Sequence, residues 1–85
     1  MNKTLMQIVL DCLAFLELTD DDVLDADAAV RQMEAITASL RQLSVEEQRE
    51  FLQFASERAE SLRSDPTSNL YVAFLDQFPG AFGPV

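Results

Sequence analysis

"SVEEQREFLQFASERAESLRSDP", Ser44 to Pro66, holds two helix starts and the helix that runs between them. Ser44 and Glu47 form a capping box, in which the serine hydroxyl accepts from the amide three residues on and the glutamate reaches back to the serine amide. Behind it Phe51, Leu52, Ala55, Ala59 and Leu62 recur at three- and four-residue spacing, the period of one helix face. Phe54 and Arg58 flank that stripe. The pattern predicts a helix over about Val45 to Arg63. Asp65-Pro66 then sets a capping aspartate before a proline at the first helical position, where its missing N–H costs nothing. A last helix is predicted over about Pro66 to Phe78, burying Leu70, Tyr71, Phe74, Leu75 and Phe78 and stopped by Pro79-Gly80. The tail from Pro79 to Val85 reads as irregular, with Phe82 packing back.

The same reading extends toward the N-terminus. Ala29, Val30, Met33, Ile36, Thr37 and Leu40 predict the inner face of a helix over about Ala26 to Leu43. Arg31, Glu34, Ala35, Ala38 and Arg41 form its outer face, and Asp27 with Arg31 makes one favourable i,i+4 pair. A first helix is predicted over about Thr4 to Leu18, with Asn2 or Thr4 as cap. Leu5, Ile8, Val9, Cys12 and Leu16 form its stripe, widened by Met6, Leu10 and Leu13. Only the strip through Gln7, Asp11 and Ala14 reads as wet, which is broader apolar cover than a surface helix shows. Either this helix is central, or one of its faces meets a second copy to make a homodimer. No strand-like alternation or internal repeat occurs. The chain of 85 residues is one domain, expected to be all-α, a small four-helix bundle or orthogonal helical array.

Between the first two helices lies "TDDDVLDAD", Thr19 to Asp27, with five aspartates and no base. Aspartate is poor inside helices and good at their starts. Asp25 or Asp22 can cap the second helix and Asp27 can sit near its positive end, whereas Asp20 and Asp21 have no such local role. The charge is lopsided along the chain as well. From Asp11 to Asp27 there are seven acids and no base, while Arg31 to Val85 holds eight acids against five arginines. A net charge of −9 repels nucleic acid and anionic membrane and steers basic protein surfaces inward.

The composition also removes most chemistry. No histidine is present, so the commonest general base and zinc ligand are missing. Gly80 and Gly83 make no phosphate-cradling loop. A calcium loop beginning at Asp20 would have Leu24 at its fifth place, Ala26 at its turn glycine and Arg31 at its twelfth, so the spacing fails. Asp11 reads as an ordinary exposed aspartate and Cys12 as a small core residue. No enzyme activity, metal or cofactor is expected. A single cysteine suits a reducing cytoplasm. The run Leu5 to Leu16 lacks the flanks of a secretory leader and is too short to span a bilayer. An acyl carrier protein would need a serine opening its second helix, where this chain reads "DADAAV".

In size, sign of charge and expected helix count the chain resembles small bacterial immunity proteins that neutralise nuclease toxins, the colicin-immunity group among them. The resemblance is one of architecture, without a shared motif, so it carries no binding residue across. It implies an immunity- or antitoxin-like inhibitor that occludes a basic protein partner, a toxin or enzyme. Asp20, Asp21, Asp22 and Asp25 are the expected contacts, with Phe54 or Tyr71 as aromatic anchor. The competing expectation is a homo-oligomeric structural or regulatory module joined through the first helix, in which acidity serves solubility alone.

Overall fold

The computed structural model describes residues 1–84 and is built of four α-helices and one short 3₁₀ turn, with no strand among the described residues. It is a small all-α helical bundle. Helix α1 spans Lys3–Leu18, and its cap is Asn2, whose side chain accepts from the Leu5 amide at 3.0 Å. Helix α2 spans Ala26–Leu40 and is capped by Asp25, which accepts from the Ala28 amide at 2.9 Å. It ends three residues short of the expected Leu43, because the chain tightens into i→i+3 bonds from Gln42 to Ser39 and Leu43 to Leu40. The turn leaves carbonyls of Arg41 and Leu43 in need of donors. Buried Gln48 supplies them, its side-chain amide donating to both at 3.2 and 2.9 Å.

Helix α3 spans Val45–Leu62 behind a complete capping box: the Glu47 amide donates to Ser44 Oγ at 3.1 Å, and the Ser44 amide to Glu47 Oε1 at 3.3 Å. Asp65 accepts from the amide and hydroxyl of Thr67 and opens a 3₁₀ turn, Pro66–Ser68, which leads into helix α4, Asn69–Phe82. Here the expected stop at Pro79-Gly80 is overturned, since α4 runs on through both residues. Proline deprives the Leu75 carbonyl of its partner, but the extra turn buries Phe82, which is 2% exposed. Gly83, at φ 93°, then closes the helix with its amide on the Pro79 carbonyl at 3.2 Å. Val85, the end of the expected irregular tail, lies outside the described residues.

The core joins Met6, Leu10 and Leu13 of α1 to Phe51 and Ala55 of α3 and Leu75 of α4. Small Ala55 and Ala59 let the helices approach closely, and α3 and α4 form the most intimate pair. Phe78 meets Phe51 edge to face at 5.9 Å and continues a run of rings through Phe74 and Phe82. Helix α1 touches all three others, whereas α2 leans on α1 and has at most slight contact with α3 and α4. That thin contact shapes the rest of the molecule.

Several expected core residues face outward. On α1 the buried face is Met6, Leu10, Leu13 and Ala14, while Leu5, Ile8 and Cys12 are exposed. Burial of Met6, Leu10 and Leu13 goes with this rotation, and beside them Gln7 Nε2 donates to Asp11 at 2.7 Å and to the Tyr71 hydroxyl of α4 at 2.9 Å. Ala14, expected wet, is buried because a small side chain suits the close crossing. Val30 and Leu70, expected inside, are 52% and 73% exposed, and Val72 is buried in the place Leu70 was expected to take. The expected Asp27–Arg31 ion pair does not form. Among the described residues no helix is long and apolar enough to cross a membrane.

Candidate functional site

Where α2 fails to reach α4, a groove of about 700 Å³ opens. Its α2 wall carries Val30, Met33, Thr37 and Ala38, and its α4 wall Leu70, Ala73, Phe74 and Phe78. The end of α1 contributes Leu18. The lining is mainly apolar, and the exposure of Val30 and Leu70 is explained by it: they sit on stripes with core periodicity whose opposite wall is missing.

The groove is closed at one end and open at the other. At the closed end, the guanidinium of Arg41 lies over the ring of Phe82, 4.5 Å from its centroid, within cation–π range. Gly83 makes room there, since a Cβ on it would meet the Arg41 guanidinium at 2.9 Å. Among the described residues no acid pairs with Arg41. Toward the other end the rim charge changes sign, with Glu34 on α2 and Glu17 at the end of α1. From Glu17 the chain passes directly through Leu18 into the aspartate loop.

That loop is held by its backbone. The amides of Val23 and Leu24 both donate to the Asp20 carbonyl, at 2.9 and 3.0 Å, and Asp25 is committed to capping α2. Asp20, Asp21 and Asp22 are exposed, and no base of the described residues pairs with them or with Asp25. Val23, between them, is 78% exposed. Among the described residues no three acidic or cysteine side chains converge as metal ligands would.

The two expected aromatic anchors are placed differently from the aspartates. Phe54 and Tyr71 are half-buried and pack against the core. Tyr71 stacks near Phe74 with ring centroids 6.4 Å apart, and its hydroxyl is tied to Gln7 and Asp11. Partial burial raises the Tyr71 pKa, an effect opposed by the Gln7 hydrogen bond and reinforced by the Asp11 charge. Its phenol is therefore a structural link between α1 and α4. The exposed large apolar residues that line the groove are instead Leu18, Val30 and Leu70, with Arg41 at the end where α2 and α4 stop. Their signal in the sequence is a surplus: more apolar helix positions than four short helices can cover.

A second apolar surface lies on α1. Leu5, Ile8, Cys12 and Phe15 follow each other at helical spacing on the face turned away from the core, and all are exposed. Compared with family models, with characterised proteins and with solved structures, the chain matches none of them.

Proposed function

We propose that the protein is a small acidic binding protein that seats against a basic protein and occludes it, in the manner of an immunity protein or antitoxin. The observation that carries this reading is the exposed acidic loop that directly follows Glu17 and Leu18, two residues lining the apolar groove. Asp20, Asp21 and Asp22 are exposed and unpaired by any base of the described residues, and Glu17 continues the same charge onto the groove's rim. Like charges crowded together oppose folding rather than favour it. A partner's lysines and arginines would relieve that repulsion, and the long-range field would speed their approach.

The test is retention of a basic partner by the immobilised protein across a salt series. Screening shortens from about 30 Å at 0.01 M to about 8 Å at 0.15 M salt, so retention should weaken steeply over that range. It should weaken further in the triple variant Asp20→Asn, Asp21→Asn, Asp22→Asn. Retention indifferent to both would end this reading.

A second reading is favoured by the outer stripe of α1. Through Leu5, Ile8, Cys12 and Phe15, two copies would pair as a homodimer. Light scattering at micromolar concentration checks it: a dimer mass that Ile8→Glu reduces to a monomer supports it, and a monomer mass for the unaltered chain rules it out.

A further inference from the structure

We propose that the α2–α4 groove is the seat of one amphipathic helix of a partner protein, lying antiparallel to its two walls, acidic in its first turn and basic in its last. This inference rests on the occlusion reading and names the element of the partner that would be held.

Shape is the first argument. The α2 wall from Val30 to Arg41 is about 17 Å long at the helical rise. A groove of about 700 Å³ has room for the inward half of a three-turn helix of that length. Both walls are themselves helices, and their small residues, Ala38 and Ala73, let a third helix approach. The occupant supplies the packing that α2 lacks on the side away from α1.

Charge gives the direction. The closed end holds Arg41, which lies over Phe82 and is paired with no acid of the described residues, and the rim elsewhere holds Glu34 and Glu17, the latter leading into the aspartate loop. A complementary helix therefore carries acid at the Arg41 end and base at the other. The C-terminal ends of α2 and α4 meet where Arg41 covers Phe82, so the walls run the same way. An occupant antiparallel to them starts at Arg41 and finishes beside Glu17. Acid in a first turn and base in a last turn are also what the helix dipole favours, so the groove's polarity and the occupant's own stability agree.

The probe is a pair of fluorescein-labelled synthetic peptides of about four turns, roughly 14 residues. They share one leucine- and alanine-rich face. One carries glutamates in its first turn and lysines in its last, and the other carries the reverse. Fluorescence anisotropy should show the first binding one to one and at least about tenfold tighter than the second, the sum of a few exposed charge pairs made rather than opposed. Arg41→Glu should erase or invert that preference. Ala73→Trp should fill the groove and abolish binding while leaving the helical circular dichroism intact. Ala38→Trp does the same from the other wall if the first variant misfolds.

Equal affinity for the two peptides overturns the proposal, as does no binding at all or binding that survives both tryptophans. Stoichiometric displacement by dodecanoate would assign the groove to a small amphiphile and overturn it too. If the peptides fail while a basic protein is still retained through Asp20, Asp21 and Asp22, the groove inference falls and the occlusion reading stands. If the peptides bind as described and no basic protein is retained, only the occlusion reading falls.

Discussion

Helix α4 has two neighbours and treats them unequally. Toward α3 it presents Phe78 to the edge of Phe51, lays Leu75 into the core, and joins Asp76 to Arg63 through two hydrogen bonds of 3.0 Å. Toward α2 it presents Leu70, Ala73 and the outer edges of Phe74 and Phe78 across an open groove. Both sides carry large apolar residues, yet one is a finished interface and the other is half of one. Periodicity tells a helix which side chains share a face. It does not say whether the fold contains the opposite wall, and a stripe without that wall is where a partner has something to gain.

Truncation on the two sides should separate them most sharply. Phe51→Ala removes a ring that is 1% exposed at the centre of the sealed interface, and comparable core truncations cost about 3–5 kcal/mol. For a domain of this size much of the total stability would go with it. Leu70→Ala, on the groove, should change stability by no more than about 0.5 kcal/mol. Urea unfolding of both variants measures the contrast. A Leu70→Ala loss approaching that of Phe51→Ala would mean that the groove closes in solution.

How much of this the sequence carries differs from feature to feature for physical reasons. Caps are decided within three residues of chain: the Ser44 box forms as the pattern implies, Asn2 and Asp25 take the places for which Thr4 and Asp22 were the alternatives, and Asp65 caps a 3₁₀ turn ahead of α4 rather than α4 itself. The inner stripe of α3 is legible because charged residues crowd its other faces. Helix α1 is apolar nearly all round, so its rotation is set by packing against α3 and α4 that no local pattern reveals, and the Gln7–Tyr71 bond spans sixty-four residues of chain. The stop expected at Pro79 fails for a similar reason, since burial of Phe82 outweighs one absent backbone bond. Of the site, the unpaired aspartates are plain in the sequence. The groove is not, because Val30 and Leu70 have the spacing of core residues.

Gln48 gives the next effect. Among the described residues it is the one buried polar side chain, and it bridges the turn that carries the chain from α2 into the α3–α4 unit. Gln48→Ala strands the Arg41 and Leu43 carbonyls and should cost about 1–3 kcal/mol. Because the turn sets where Arg41 sits, faster amide exchange in α2 than in α3 should accompany the loss. Ser44→Ala, which removes one half of the capping box, should cost about 1 kcal/mol. That loss should leave the peptide preference of the groove unchanged, since the cap serves α3 alone.

The smallest effect separates the two sides by pH. Arg63 donates to Asp76 on α4 and to Glu60 on its own helix, and this hydrogen bonding, with the attraction of the charges, holds the Asp76 carboxyl below its ordinary pKa. Asp65 is lowered in the same direction by its bonds from Thr67 and Ser68. A carboxylate whose pKa is depressed by folding contributes stability above its unfolded pKa, and that contribution is lost as pH falls through the folded value. The α3–α4 side should therefore weaken as the medium becomes more acid than the ordinary carboxylate range. Both partners of the Arg63–Asp76 pair are about half exposed, so the effect is modest and shrinks as salt rises. Asp76→Asn should flatten the acid limb of a stability-against-pH curve and leave the peptide preference at the groove unaltered. If it altered that preference instead, the two faces of α4 would be coupled through the helix and the contrast between them would be one of degree.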